Sequence, residues 1–371
     1  GGALRALPPH AIAAPVLQGL LARAGVRPGE VDAVVLGNAL GAGGNPARMA
    51  ALAAGLPDAC AALTVDTQCC AGLDAVSVAA GLLASGAASL VVAGGVEAWS
   101  RAPIRQHRPL RPDQPAVPYE RPAFAPDPAR DPDMLQAAAR YAFDHGYSRA
   151  AQDAYALHSH ARALAHAGDL ADEIVPVAAL AGDAHPRAMS ASRAARLPLA
   201  AQAEGAMERD GARFGLSALA ISPRADGCGL VLLATEAACA RLGLRARAAW
   251  LGGQMRGAPP ETPMRAAAIA SQALLARTGL GVEALAAVEL HDAFAVQGLD
   301  FLATLGLPAQ RLNRRGGGLA RGHPIGASGA IALVRLLADL WRDEAPGARG
   351  LACVAGAGGV GAAGLVRRLA G

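Results

Sequence analysis

Two cysteines and two histidines lie where predicted secondary-structure elements begin or end, and such positions suit reactive side chains. Cys69, in T-Q-C-C-A-G, comes just before an apolar helix predicted to begin near Gly72. A helix N-terminus carries partial positive charge and free N–H groups, so it is expected to lower the pKa of the thiol and to hold an oxyanion. This arrangement predicts nucleophilic catalysis by a thiolate.

The other three reactive side chains also lie at predicted turns. His323 lies in the glycine-rich run G-G-G-L-A-R-G-H-P-I-G, where the chain can approach a ligand or another backbone closely. Cys353 comes at the end of an apolar strand that runs into a glycine-rich turn. His291 ends a further predicted strand, in V-E-L-H-D-A-F. From the residues alone we predict a cysteine-based α/β enzyme.

The elements that must position these side chains alternate between helix-like segments and short apolar strands. The clearest predicted elements are a helix over His10–Ala24, a strand over Ala33–Leu36, a helix over Gly72–Ala84, and strands over Leu90–Ala93 and Gly229–Leu233. This alternation favours an α/β fold with buried sheets. Residues 101–133 are rich in Pro, Arg and Asp and predict an irregular loop, and residues 134–168 predict a helical region.

Two parts of the chain resemble each other weakly. The residues Gly25, Ala33, Val34, Leu36 and Ala39 recur at one constant offset as Gly279, Ala287, Val288, Leu290 and Ala293. A constant offset is stronger support than the identities themselves in a chain rich in alanine and glycine. It predicts a duplicated α/β unit with an insertion in the first copy.

Composition excludes several functions. All 34 basic residues are arginine, so a Schiff-base lysine and a P-loop lysine are excluded. The net charge of +4 is spread without a basic block, which gives no reason to expect a nucleic-acid partner. The six cysteines form no C-x-x-C pair, so no zinc ribbon is expected, and free thiols favour a reducing cytoplasm.

Two local features are given structural interpretations. The uncharged stretch Ala75–Val96 is long enough to cross a bilayer, but it is mostly alanine and contains four glycines. We therefore expect a buried helix, a turn at Gly86 and a buried strand, with no membrane partner. His158 and His160 fall on one helical stretch with a solvent-exposed face, and we expect no metal site there.

Taken together, the motifs identify a known family. Supporting segments are NPARMAALAAGLP (residues 45–57), VVAGGVEAWSRAP (91–103), SRAAQDAYALHSH (148–160), DEIVPV (172–177) and GHPIGASG (322–329). Over nearly its whole length the sequence resembles the thiolase family of acetyl-CoA acetyltransferases and 3-ketoacyl-CoA thiolases. Its H-D-A-F segment resembles that of sterol-carrier-type thiolases.

The resemblance implies a thiolase fold, in which duplicated βαβαβ halves form an αβαβα layered arrangement with an inserted loop domain. It implies a first half at residues 1–100 with 220–243, a loop domain at 101–219 and a second half at 244–371. It also implies reversible thiolysis and Claisen condensation of acyl-CoA through an acyl-cysteine, with coenzyme A as substrate and no tightly bound cofactor or metal. A homodimer or homotetramer is expected, with a possible protein partner if the chain is of the sterol-carrier type.

The family's catalytic roles transfer to four positions. Cys69 matches the nucleophile that becomes acylated, and His323 matches the histidine that activates it and relays protons. Cys353 matches the second cysteine, the acid/base group that deprotonates the methyl of acetyl-CoA or protonates it on cleavage. His291 occupies the position where many members have an asparagine that holds a water in an oxyanion hole. An imidazole N–H can replace that donor, so the substitution is compatible with activity.

The resemblance also implies binding positions. The backbone N–H groups of Cys69 and Ala355 would form the second oxyanion hole. Ser222 and Phe294 match residues that line the pantetheine channel, and Met134 matches a position in the coenzyme A site.

Departures from the family pattern leave two alternatives open. The family's C-x-S-G is C-C-A-G here, and its T-A-x-N is S-A-L-A at residues 217–220. Both changes motivate a non-catalytic thiolase-like subunit that binds acyl-CoA or a protein. Decarboxylating condensing enzymes share the fold and use Cys-His-His, which Cys69, His291 and His323 could provide. Cys353 argues against that alternative, because decarboxylation generates the carbanion without a base.

Overall fold

The computed structural model describes residues 2–41, 43–203, 205 and 208–370. The α-helices are α1 (Pro9–Ala24), α2 (Pro46–Ala53), α3 (Ala71–Ala84), α4 (Met134–Asp144), α5 (Arg149–Ala165), α6 (Ala191–Ala194), α7 (Glu236–Leu242), α8 (Ala266–Thr278), α9 (Ala295–Leu305), α10 (Gly318–Arg321) and α11 (Ser328–Asp343). The strands are β1 (Ala33–Gly37), β2 (Ala61–Val65), β3 (Leu90–Ala98), β4 (Arg105–His107), β5 (Val117–Tyr119), β6 (Leu199–Ala201), β7 (Glu208–Arg209), β8 (Ala212–Arg213), β9 (Leu216–Ser217), β10 (Asp226–Ala234), β11 (Ala248–Gly257), β12 (Leu285–His291), β13 (Arg349–Gly356) and β14 (Val360–Arg368).

Two four-stranded sheets carry the fold, with strand orders β10-β3-β1-β2 and β11-β14-β13-β12. In the first sheet β1 runs parallel to β2 and β3, and β10 runs antiparallel to β3. In the second sheet β12 runs parallel to β13, and β14 runs antiparallel to β13. The three strands β1, β3 and β10 therefore have counterparts in β12, β13 and β14. The predicted duplication of an α/β unit is confirmed.

The sheets and helices form five layers. One apolar cluster joins α1 and α2 to the outer face of the first sheet. A second cluster holds α3 and α11 between the two sheets, and a third joins α8 and α9 to the outer face of the second sheet. Each cluster is built mainly from Ala, Val and Leu, as expected for a chain with only 3% aromatic residues. The αβαβα arrangement is confirmed.

The two helices of the middle layer begin side by side because glycines let them approach. A Cβ atom on Gly72 would lie 2.7 Å from the carbonyl oxygen of Gly326 and 3.0 Å from Cβ of Ala330. A Cβ atom on Gly329 would lie 2.8 Å from Cβ of Leu73. Such distances are shorter than normal packing allows, so these positions require glycine. The beginnings of α3 and α11 consequently meet at one point.

Residues 101–203, 205 and 208–225 lie outside both sheets and cover one end of the layered body. The segment predicted to be irregular contains a short antiparallel pair, β4 with β5. Helices α4 and α5 pack against α9 through a fourth apolar cluster. The stretch 75–96 forms most of α3, a turn with a positive φ at Gly86 and the first part of β3. Within the described ranges, no helix is both long and apolar enough to cross a membrane.

Candidate active site

Cys69 lies in the short connection between β2 and α3, with its thiol against the ring of His323. The sulfur of Cys69 is 3.1 Å from Nε2 of His323, although 254 positions separate the two residues. Gln68, which precedes Cys69, has a positive φ of 55°. A non-glycine residue in this region of φ carries backbone strain, which clusters at functional sites. The structure therefore brings together the predicted nucleophile and the predicted base.

The hydrogen bonds of Ser328 indicate which nitrogen of His323 carries the proton. The hydroxyl of Ser328 donates to the carbonyl oxygen of Pro324 at 3.1 Å, and its oxygen lies 2.8 Å from Nδ1 of His323. Because the hydroxyl hydrogen is already donated, the oxygen accepts a hydrogen bond from Nδ1–H. The lone pair of Nε2 then faces Cys69. A neutral imidazole in this tautomer can take the thiol proton.

The backbone around His323 is fixed from several sides. Its N–H donates to the carbonyl of Pro223 at 2.7 Å, and its carbonyl accepts from the indole N–H of Trp99 at 2.9 Å. Three residues further on, the N–H of Gly326 donates to the buried carboxylate of Glu97 at 3.0 Å. These bonds hold the glycine-rich loop against the end of β3. The ring position is consequently set by the fold and not by a flexible loop.

Burial keeps both partners of the pair neutral. It raises the pKa of the Cys69 thiol to about 12, although the backbone N–H groups of Ala357 and Cys69 act in the opposite direction. It lowers the pKa of His323 to about 4. The expectation that the helix terminus lowers the pKa of Cys69 is therefore wrong, because desolvation outweighs the N–H groups. With these pKa values the thiol and the imidazole are both neutral in the resting site.

His291 completes the group of rings. Its imidazole stacks on that of His323, with ring centroids 4.4 Å apart and planes at 26°. Burial, followed by the nearby His323 and Arg321, lowers the pKa of His291 well below its usual value. Its Nε2 is buried, and among the described residues it has no hydrogen-bond partner. A neutral ring with an unpaired nitrogen is suited to bind a polar atom of a substrate.

The end of β12 is held in place by Asp292 and Asn313. The carboxylate of Asp292 accepts from the hydroxyl of Tyr155 at 2.8 Å and from the amide of Asn313 at 3.2 Å. The amide oxygen of Asn313 in turn accepts from the N–H of Leu290 at 2.8 Å. Burial raises the pKa of Asp292 to about 6. This network fixes the backbone on both sides of His291.

The structure places Cys353 elsewhere. Alternate residues of β13 belong to different apolar clusters, and Cys353 belongs to the one under α8 and α9. Its sulfur donates to the carbonyl of Glu289 at 3.7 Å and lies beside the hydroxyl of Ser271, while burial raises the pKa of the thiol. Within the described residues, no hydrogen bond joins it to Cys69 or His323. Within the described residues, the polar contacts of Cys353 are therefore with Glu289 of β12 and Ser271 of α8, and not with the Cys69–His323 pair.

The backbone N–H groups around the sulfur of Cys69 differ in one member from the predicted pair of Cys69 and Ala355. Ala355 lies within β13, opposite Gly361 of β14. The N–H that bonds the sulfur of Cys69 belongs to Ala357, in the turn between the two strands. The two backbone N–H groups that act to lower the pKa of the Cys69 thiol are thus those of Ala357 and of Cys69 itself.

The three predicted binding residues lie at the beginnings of helices or beside them: Met134 is the first residue of α4, Phe294 directly precedes α9, and the N–H of Ser222 donates to the carbonyl of Ala293. The hydroxyl of Ser222 donates to the carbonyl of Gly318 at 2.6 Å, and its neighbour Ile221 bridges to Phe294. Phe294 and Met134 are both half-buried and pack in the same apolar cluster. Their role toward pantetheine stays a prediction. The contact of Ser222 gives it a second task, which is to hold the first residue of α10.

Comparison with known proteins decides the family. The chain matches "Thiolase, N-terminal domain" over residues 1–237 and "Thiolase, C-terminal domain" over residues 244–368. The chain belongs to the thiolase family. This thiolase is 35% identical to an acetyl-CoA acetyltransferase of Chromobacterium violaceum, in an alignment covering 99% of the chain and 96% of that protein.

Solved structures agree with this assignment. The crystal structure of the Bacillus anthracis acetyl-CoA acetyltransferase is similar, with a TM-score of 0.90, 32% identity, and coverage of 100% of this chain and 95% of that one. The Acat5 thiolase from Ascaris suum, solved in complex with coenzyme A, has a TM-score of 0.88 and 28% identity, with coverage of 99% and 95%. The layered fold of this thiolase is thus shared along almost the whole of both chains.

Several residues at the site of this thiolase were not predicted from sequence. Ser328 lies within G-H-P-I-G-A-S-G, where a hydroxyl five residues after the histidine was the available indication. Asp292 follows His291 directly, and Glu97 is a single acid within an apolar strand. A buried acid in such a strand needs hydrogen-bond donors, which here are loop N–H groups. Ala357 is a small residue in a small-residue run and carries no such indication.

Proposed function

We propose that this thiolase catalyses reversible thiolysis and Claisen condensation of acyl-CoA thioesters through an acyl-Cys69 intermediate. The observation that carries the proposal is the 3.1 Å contact between the thiol of Cys69 and Nε2 of His323. The names of its relatives, acetyl-CoA acetyltransferases, support an acyl-CoA substrate. The coenzyme A complex of the Ascaris suum thiolase supports coenzyme A as the carrier.

The first step is attack of Cys69 on the carbonyl carbon of the substrate. As the Sγ–C bond forms, Nε2 of His323 takes the thiol proton, so no free thiolate has to form in the buried site. The oxyanion is stabilised by the N–H groups of Cys69 and Ala357, which already point at the sulfur. Losing one donor of this kind typically slows a reaction by about 10²–10³-fold.

The test is acylation of the protein by acetyl-CoA, followed by intact-mass spectrometry. The wild type and Cys70→Ala should gain one acetyl group, and Cys69→Ala should gain none. Cys70 is the matched control, because it is an adjacent thiol that donates to backbone carbonyls in the β13–β14 hairpin. Retained label in Cys69→Ala would refute the assignment of the nucleophile.

A steady-state assay tests the complete reaction. Acetoacetyl-CoA and free coenzyme A should be consumed together, which is followed by loss of the enolate absorbance. Acylation of Cys69 without turnover on several chain lengths would instead favour an acyl-CoA-binding subunit.

We also propose that the protein is cytoplasmic and forms a homodimer or homotetramer, with coenzyme A as a substrate and no tightly bound cofactor. The six cysteines, all free in the structure, support a reducing compartment. The H-D-A-F segment around His291 supports a thiolase of the sterol-carrier type, for which a protein partner is expected. Light scattering of the purified protein would test the oligomeric state.

A further inference from the structure

The position of a second catalytic thiol can be located from the oxyanion hole. In the assignment implied by the family resemblance, the acid/base residue is Cys353 and the oxyanion donor is the N–H of Ala355. The acid/base cysteine is thus expected two residues before the oxyanion donor. The N–H group bonded to the sulfur of Cys69 is that of Ala357. Two residues before Ala357 is Ala355, which has no titratable group. The position that should hold the acid/base thiol is therefore occupied by a methyl group.

Independent contacts support this alignment of β13 with Cys69. A Cβ atom on Gly356 would lie 3.4 Å from Cβ of Gln68 and 3.4 Å from Sγ of Cys70. Gly356 thus packs directly against the connection that carries the nucleophile. Cys353 lies three residues earlier in a strand that advances about 3.3 Å per residue, so it is roughly 10 Å further from this contact.

The thiol of Cys70, next to the nucleophile in the chain, is also turned away. The sulfur of Cys70 lies 3.6 Å from the carbonyl oxygens of Val354 and Val360, and its side chain is fully buried. Its hydrogen is directed to the hairpin backbone and not to the rings. Among the described residues, the titratable groups grouped beside Cys69 are therefore two imidazoles. The ring of His323 contacts the sulfur of Cys69, and the ring of His291 stacks on that of His323.

We propose that this thiolase works without an acid/base cysteine, and that the single ring of His323 carries the proton in both half-reactions. This inference rests on the proposed function. His291 serves as the donor to the enolate oxygen of the departing or attacking acetyl-CoA. Its buried Nε2 has no partner within the part of the chain that the structure describes, so it is available for that bond.

The proton balance closes with one imidazole. In thiolysis the Cys69 sulfur bonds to the keto carbon, and its proton passes to Nε2 of His323. The bond between the keto carbon and the α-carbon then breaks, and its electron pair forms the enolate of acetyl-CoA. The imidazolium returns the proton to the α-carbon, and acetyl-CoA leaves.

The second half-reaction uses the same nitrogen. Nε2 takes the proton of the coenzyme A thiol as that sulfur attacks the acyl group on Cys69. The sulfur of Cys69 leaves and recovers the proton from Nε2. His323 is again neutral, with Nδ1–H still bonded to Ser328, so neither half-reaction needs another base.

The test compares two substitutions on β13 by three measurements. The measurements are acylation of Cys69 by acetyl-CoA, thiolysis of acetoacetyl-CoA, and washout of deuterium from acetyl-CoA labelled in the methyl group. Cys353→Ala should keep all three rates within twofold of the wild type, as should the control Cys60→Ala, another buried free cysteine. Ala355→Cys should increase the washout at least tenfold and add a thiol ionisation to its pH profile.

Loss of thiolysis and washout by at least 100-fold in Cys353→Ala, with acylation and thermal unfolding unchanged, would overturn the proposal. Wild-type protein that releases CO₂ from malonyl-CoA but washes out no deuterium would also overturn it, in favour of a decarboxylating enzyme. If wild-type protein is not acylated at all, the proposed function itself fails. The acylation measurement therefore separates the two failures.

Discussion

Replacing Ser328 by alanine tests the tautomer on which the chemistry depends. Ser328 is 1% exposed, and its oxygen accepts the Nδ1–H of His323 at 2.8 Å. When His323 takes up the proton, its Nδ1–H becomes part of a charged imidazolium. A hydrogen bond to a charged group stabilises it by about 1.5–3 kcal/mol. At 1.36 kcal/mol per tenfold change, Ser328→Ala should slow acylation of Cys69 by about 10- to 150-fold. The alanine variant also allows the opposite tautomer, in which Nε2–H faces the sulfur and cannot accept its proton.

The matched control is Ser271→Ala. Ser271 is fully buried, and its hydroxyl donates at 2.7 Å to the carbonyl of Ala267, four residues earlier. The hydroxyl of Ser328 makes the same kind of bond, to the carbonyl of Pro324. Both variants should lose about 0.5–1.5 kcal/mol of stability for that bond. Ser328→Ala should lose more, because it also leaves Nδ1–H without an acceptor. Rapid-quench acylation by acetyl-CoA and urea unfolding are measured for both.

The control should acylate within twofold of the wild type. If Ser328→Ala also acylates within twofold of the wild type, the hydroxyl does not control the tautomer, and the inferred direction of proton transfer is wrong.

Two further predictions concern pH and the helix contact. Because burial lowers the pKa of His323 to about 4, the neutral base persists at any higher pH, and acylation of Cys69 should be independent of pH from about 5.5 to about 9 and decrease toward pH 4. In His323→Ala the rate should instead rise about tenfold per pH unit, because only the free thiolate reacts; a wild-type rate that rises through pH 8 would contradict the neutral pair. Gly72→Ala should destabilise the protein by about 1–3 kcal/mol and slow acylation, since its Cβ would lie 2.7 Å from the oxygen of Gly326. Gly81→Ala in the same helix meets nothing within 4 Å and should stabilise by about 0.5–1 kcal/mol, and urea unfolding of both checks the pair.

Local sequence patterns were enough to predict the elements around the nucleophile. The predicted helix Gly72–Ala84 is observed as Ala71–Ala84, and the predicted strand Ala33–Leu36 as Ala33–Gly37. Apolar runs bounded by glycine define such elements without reference to the rest of the chain. The pairing of Cys69 with His323 followed because each lies in a distinctive motif.

The alignment of β13 could not be obtained in the same way. The segment L-A-C-V-A-G-A-G-G-V-G contains small residues at most positions, so cysteine was the only distinctive residue in it. Which residue reaches the nucleophile is determined by pairing across the hairpin, where Ala355 lies opposite Gly361, and by the turn that follows. The pKa of Cys69 was also predicted in the wrong direction, because burial depends on the packing of distant elements.

The duplication explains why the nucleophile and its base come from different halves of the chain. Helices α3 and α11 are counterparts in the two halves, and they pack at their beginnings through Gly72 and Gly329. Cys69 lies two residues before α3, while Ser328 is the first residue of α11 and holds the ring of His323. Each half therefore supplies one partner at the start of its own central helix, and neither half alone contains the pair. A change that separates the two helix beginnings should abolish acylation before it unfolds either half, since each half retains its own sheet.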